Sequence, residues 1–201
     1  KTFKSLLESL KPYRIICLLM VFVSVNLFAQ PSTFKHISTS GNTSGHVTTI
    51  DNPRTNNRPD AIVFVTHDYA SGPYNTSPIG VYYYGGKWRI FNQNRSAIGN
   101  NSTFNVLVQS TADRGVFIHS ATSSNTSSHI TTIDNAFTNN NPNAKLIVTQ
   151  LWTGTYNPHT IGVYYISGKW RIFNQDFAGM PVGAQFNIIV DHSKSFIHTA
   201  P

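Results

Sequence analysis

Ile79-Gly80-Val81-Tyr82-Tyr83-Tyr84-Gly85-Gly86-Lys87-Trp88-Arg89-Ile90-Phe91-Asn92 is the stretch whose reading decides the fold. Two runs rich in β-branched and aromatic residues flank a Gly-Gly pair. Glycine accepts the positive φ that a two-residue hairpin turn demands. Closing the turn between Tyr84 and Lys87 sets the register. Tyr83 then faces Trp88, and Val81 faces Ile90, on one side of the ribbon. Tyr82 faces Arg89, and Tyr84 faces Lys87, on the other. The first side is apolar and reads as core, where burial at roughly 25 cal/mol per Å² stabilises by several kcal/mol. The second side is aromatic and cationic.

The hairpin is written twice. Ile161 to Tyr165 and Gly168 to Gln175 repeat Ile79 to Tyr83 and Gly86 to Gln93 at an offset of 82. Upstream, His129-Ile130-Thr131-Thr132-Ile133-Asp134-Asn135 repeats His46-Val47-Thr48-Thr49-Ile50-Asp51-Asn52 at an offset of 83. One residue is dropped between Thr149 and Asn157 relative to Thr66 and Asn75, a change that a loop tolerates. Phe196-Ile197-His198 matches only the opening strand, seen before as Phe34-Lys35-His36 and Phe117-Ile118-His119. Internal repetition of this extent is the strongest organising signal in the chain.

Each copy reads as short strands between turn residues, at 34–38, 46–50, 61–66, 79–84, 87–92 and 104–108 in the first. Phe104-Asn105-Val106-Leu107-Val108 and Phe186-Asn187-Ile188-Ile189-Val190 look like buried strands. No helical period is sustained beyond the N-terminal segment. The expected class is all-β: two tandem antiparallel β-sandwich or barrel-like modules, at 30–113 and 114–201, after an N-terminal signal helix. A sheet system shared by both copies is the alternative.

Residues 1–29 read as an address. Lys1, Lys4, Lys11 and Arg14 precede an apolar run of 14 residues, Ile15 to Phe28, with Ala29 offering a small residue at the cut. A bilayer span needs about 20 apolar residues, so an uncleaved anchor is the weaker reading. The expectation is bacterial export to the exterior or the cell surface, with no membrane association after cleavage. Cys17 lies inside this segment, which leaves the mature chain without thiols, disulfides or cysteine metal sites. Of 15 basic and 8 acidic residues, 11 and 7 lie beyond the signal, a balance of +4. That modest charge removes most support for nucleic-acid binding.

The candidate site is the second side of each hairpin. Tyr82 with Arg89, and Tyr164 with Arg171, offer aromatic faces for the apolar side of a sugar ring and guanidinium donors for its hydroxyls. Asn92, Asn174 and Asp176 follow the hairpin strands and are expected to add polar contacts. The plainer reading of the same pairs is cross-strand stabilisation. His36 with His46, and His119 with His129, would approach one another if their strands pair. A nearby Asp51 or Asp134 would then make a zinc-like site, while structural histidines bonded to backbone are the plainer reading. The loops from Asp51 to Asn57 and Asp134 to Asn140 are oxygen-rich, yet each offers only about one carboxylate for calcium. Side-chain-bonded turns explain them more simply, and no cofactor or metal is expected.

Catalysis has little to rest on. After Glu8 there is no glutamate, and no nucleophile elbow, zinc-helix motif or phosphate loop occurs. Duplication suits multivalent binding, in which a second weak site raises avidity.

The string Asn141-Pro142-Asn143-Ala144, Tyr156-Asn157-Pro158-His159-Thr160-Ile161-Gly162-Val163-Tyr164-Tyr165, Gly168-Lys169-Trp170, Ile172 to Asp176, Met180 to Ala184 and Phe186-Asn187 resembles an uncharacterised tandem-repeat domain of secreted bacterial proteins. The resemblance covers both copies, roughly residues 34–198. It implies an exported repeat protein and no particular activity. The first copy departs from it, with Asn94 in place of Asp176 and no Met-Pro-Val-Gly-Ala run. The expected function is a non-enzymatic binding or adhesion module for a glycan or cell-surface polymer. A structural spacer is the alternative, and a metal-assisted hydrolase centred on the histidines a more distant one.

Overall fold

The computed structural model describes residues 33–69, 72–191 and 195–199; the expected export signal, residues 1–29, lies outside them. The described secondary structure is entirely strand. The first copy contributes β1 (Thr33–Ile37), β2 (Thr43–Ser44), β3 (Val47–Thr49), β4 (Ala61–Asp68), β5 (Ile79–Tyr84), β6 (Lys87–Asn92) and β7 (Thr103–Ser110). The second contributes β8 (Val116–Ser120), β9 (Thr126–Ser127), β10 (Ile130–Thr132), β11 (Leu146–Leu151), β12 (Ile161–Ile166), β13 (Lys169–Asn174) and β14 (Gln185–Val190). The all-β expectation holds. Only the two-residue strands β2 and β9 escape the sequence pattern.

The hairpin forms in the expected register. Tyr83 pairs with Trp88, Val81 with Ile90, Tyr82 with Arg89 and Tyr84 with Lys87. The second copy repeats these pairs from Tyr165 and Trp170 to Ile166 and Lys169. Gly85 and Gly86 both have positive φ, at 59° and 80°, as do Ser167 and Gly168, at 50° and 80°. Both turns are therefore of the primed kind, whose twist matches the flanking strands. Trp88 turns inward, 3% exposed, and its indole N–H donates to the Arg58 carbonyl at 2.8 Å.

Each module packs a three-stranded sheet on a four-stranded one. In the first, β1-β7-β4 faces β2-β3-β6-β5. The inward residues Val63, Val65, Phe104 and Val106 meet Val81, Trp88 and Ile90 in one apolar cluster. Alternation along each strand produces this, because only every second side chain points inward. The second module has its own cluster, built from Ile133, Ile172, Phe186, Ile188 and Val190.

The copies also share a sheet. β11 runs parallel to β5, pairing Gln150 with Gly80 and Leu151 with Val81. The second module's β8-β14-β11 thus continues the first module's four-stranded sheet into one of seven strands. Leu151 enters the first module's core, and Ile62, Phe64, Val116 and Ile189 form a third apolar cluster between the copies. Side chains close the remaining edge of β4. The Val65 amide donates to Thr149 Oγ1 at 3.1 Å, and Asn187 Nδ2 donates to the Val63 carbonyl at 2.9 Å. An open strand edge invites pairing with another chain, and these contacts satisfy it internally.

Candidate functional site

The outer face of the four-stranded sheet carries the candidate residues. Register places Tyr82, Arg89 and Thr49 in one row across β5, β6 and β3. Arg89 lies between two rings, its Cζ 4.8 Å from the Tyr84 centroid and 5.7 Å from that of Tyr82. Its Nη1 donates to the Tyr82 hydroxyl at 3.4 Å. The row forms one wall of an open groove of about 850 Å³, completed by the loop 40–44, Val47, Asp51 and Lys87. Hydroxyl groups of Ser40, Thr43, Ser44 and Thr49 line it alongside the guanidinium and phenol.

Lys87 does not enter this groove as a free cation. Its ammonium lies 2.6 Å from Asp51 Oδ1. That bond, with one from Asn56, holds the Asp51 carboxyl below its ordinary range. Lys169 and Asp134 repeat the arrangement at 2.6 Å. The oxygen-rich loops are tied up in the same way. Asn52 Oδ1 accepts from the Arg54 amide, and Thr55 Oγ1 donates to the Asn52 carbonyl, so these oxygens serve the turn.

The two copies of the site differ in what covers them. In the first, Tyr82 and Phe91 meet Trp152 and Tyr156, which follow β11 of the second module. The Arg95 guanidinium caps the group, 4.5 Å from the Tyr156 ring. In the second, Tyr164 packs edge-on to Phe173, with Arg171 Nη1 donating to its hydroxyl at 3.4 Å. Half of the first hairpin face is thus taken by the sister module, and the half around Arg89 stays open.

Three sequence-predicted residues lie elsewhere. Asn92 and Asn174 are fully buried and cannot reach a bound molecule. Each amide bridges the loop after its strand: Asn92 Nδ2 donates to the Ser96 carbonyl and Asn174 Nδ2 to that of Ala178. Each Oδ1 accepts from a second asparagine, Asn75 or Asn157. Asp176 is exposed, but it lies five positions beyond Arg171 at the other end of β13, roughly 16 Å at strand spacing. There it accepts from the Ala178 amide and pairs with His159 Nδ1 at 2.6 Å, both of which hold its carboxyl low.

The strand pairing on which an approach of the histidines depended does not occur. β1 pairs with β7 and β3 with β6, so His36 and His46 are not strand neighbours. His36 instead reaches across the sandwich, its Nε2 2.7 Å from Thr48 Oγ1. The Thr48 hydroxyl donates to Asn42 Oδ1, so Nε2 supplies the proton that Thr48 accepts. His119, Thr131 and Asn125 repeat the chain of bonds. Burial pushes both imidazoles down to about 4. Among the described residues no group of three or more His, Cys, Asp or Glu is placed to hold a metal ion.

The repetition in geometry matches what comparison with known families finds. One family model, described as Domain of unknown function (DUF7452), matches twice, at residues 20–108 and 96–190. The chain belongs to this family. It carries the domain as a tandem repeat. Comparison with curated proteins and with solved structures returns no match.

Proposed function

We propose that this chain is a secreted, non-enzymatic binding or adhesion module that recognises a glycan or cell-surface polymer through the groove of the first module. The observation that carries this reading is the row Tyr82, Arg89 and Thr49 along an open, hydroxyl-lined groove of about 850 Å³. Sugar recognition needs an aromatic face, planar donors and several hydroxyl partners within one concavity, and this groove offers all three. Arg89 presents its guanidinium to the groove beside the Tyr82 hydroxyl, and Arg171 stands in the same relation to Tyr164. Ligand contacts are assigned to Tyr82, Arg89 and Thr49, with Tyr164 and Arg171 forming the corresponding pair of the second module.

A polysaccharide pull-down and a glycan array on the purified chain test this. Binding that falls at least about tenfold in Arg89→Ala and Tyr82→Ala supports the assignment. Binding unchanged in both variants removes the groove from consideration. No binding across a broad panel favours the spacer reading.

A further inference from the structure

The junction between the modules has two halves, and each half recurs at the opposite end of the chain. The second module supplies Thr149, Asn187, Trp152 and Tyr156 to the junction. Thr149 and Asn187 are 4% and 0% exposed there. Their repeat counterparts in the first module are Thr66, Asn105, Tyr69 and Tyr74. All four are exposed, Tyr69 at 67% and Tyr74 at 76%. Tyr69 and Tyr74 already pack together, with ring planes tilted and centroids 4.8 Å apart, as Trp152 and Tyr156 do at 5.7 Å. A shallow, mostly apolar hollow of about 370 Å³ lies at Thr66 and Asn105, lined also by Phe64, Leu107 and, from the second module, Ile147.

The receiving half shows the same contrast. In the first module Val63, Val65 and Val81 are buried at 0%, 6% and 0%, and Phe91 at 1%. Their counterparts Leu146, Val148, Val163 and Phe173 are only half-buried. β5 pairs with β11, whereas among the described residues β12 pairs with β13 alone. The edge geometry that accepts β11 is therefore present a second time with no strand paired to it among the described residues, and Ser195, Phe196 and Ile197 lie beside its Leu146 end.

We infer that copies of this chain join head to tail, the exposed Thr66-Asn105-Tyr69-Tyr74 surface of one docking on the β12 edge of another as the second module docks on the first. The predicted contacts follow from the internal junction. The β4 end of one copy pairs parallel with Gly162 and Val163 of the other. Asn105 donates to the Leu146 carbonyl, Thr66 accepts from the Val148 amide, and Tyr69 and Tyr74 cover Tyr164 and Phe173. Two substitutions weaken this joint relative to its template. Asp68 stands at the position of Leu151 and is paired with Lys35, and Lys145 stands at the position of Ile62. Association is accordingly reversible and weaker than the covalent arrangement it copies. Because the surface and its receptor lie at different ends, the contact is heterologous and does not close on two copies. The inference is independent of the glycan reading, although a string of copies would multiply the grooves.

Sedimentation equilibrium of the purified chain into the high micromolar range tests this, together with two variants. Tyr69→Ser with Asn105→Asp changes only exposed residues and blocks the docking surface; Tyr164→Asp blocks the receptor. The wild type should show an average mass that rises continuously beyond the dimer. Each variant alone should lose association by at least about tenfold. An equimolar mixture retains one good surface and one good receptor, and should stop at the dimer. A wild type that stays monomeric throughout overturns the inference. So does a docking-surface variant that associates as tightly as wild type, or a mixture that grows past two copies. Circular dichroism of Tyr69→Ser/Asn105→Asp confirms that lost association is not lost folding.

Discussion

Lowering the pH from about 7 to about 5 should destabilise this protein through two buried histidines. His36 and His119 are each 7% exposed, and burial alone lowers their pKa from 6.5 to about 4. The unfolded chain therefore binds protons below pH 6.5 that the folded chain refuses, and stability falls as pH drops from 6.5 through 4. At pH 5 the linkage is worth about 2 kcal/mol per site, about 4 kcal/mol for the pair. For a chain of this size that lowers Tm by about 10 °C. His67 shifts in the same direction through its own burial and adds to the effect. The lowered carboxylates Asp51, Asp60, Asp134 and Asp176 act in a separate window. Their contribution is present above the ordinary 3.8 and is lost only as pH falls below it. Thermal unfolding at pH 7 and pH 5 of wild type and of His36→Gln/His119→Gln gives the answer. The wild type should lose most of its acid sensitivity on double substitution, whatever the variant's absolute Tm. Equal pH dependence in both proteins would refute the reasoning.

Three further perturbations separate core, backbone and junction. Trp88→Ala should cost about 3–5 kcal/mol in denaturant unfolding, and Trp170→Ala less, because Trp88 is 3% exposed while Trp170 is half-buried. A Cβ at Gly80 would lie 2.7 Å from Gln93 Nε2 and 2.8 Å from the Phe91 ring, so Gly80→Ala should destabilise by about 1–3 kcal/mol in the same assay. Asn187→Ala leaves the buried Val63 carbonyl without the donor that reaches it across the junction, a loss of about 1–3 kcal/mol. Its exposed counterpart Asn105→Ala should stay within about 0.5 kcal/mol, and equal effects from the two would contradict the asymmetry of the repeat ends.

The hairpin was legible in the sequence because two independent rules agree there. A Gly-Gly turn fixes register, and period-two alternation assigns Tyr83, Trp88, Val81 and Ile90 to one face. The approach of His36 to His46 was conditional on pairing between strands that neighbour one another in sequence. β1 is joined instead to β7, some seventy residues on, and nothing local to Phe34-Lys35-His36 encodes that partner. Thr48 and Thr131 looked like ordinary strand residues, yet both are fully buried to receive the imidazoles. Asn92 and Asn174 were misplaced for a related reason. A polar residue at a strand end reads as surface, whereas here the buried amide bonds the backbone of the exposed loop that follows. The junction did leave a trace in Phe104-Asn105-Val106-Leu107-Val108 and Phe186-Asn187-Ile188-Ile189-Val190. Asn187, fully buried in an otherwise apolar strand, requires a polar partner, whereas its counterpart Asn105 is exposed. That the partner is the backbone of the other module depends on three-dimensional packing.

The account rests on the modules being joined through a continuous sheet and a capped edge. Amide hydrogen exchange at Trp152 and Val65 tests this most directly, because the Trp152 amide donates to the Val81 carbonyl at 2.9 Å and the Val65 amide to Thr149 Oγ1. Both amides should exchange as slowly as that of Ile90 in the centre of the first core. Exchange at the rate of exposed loop amides, with Ile90 still protected, would show two modules that fold side by side without the junction described.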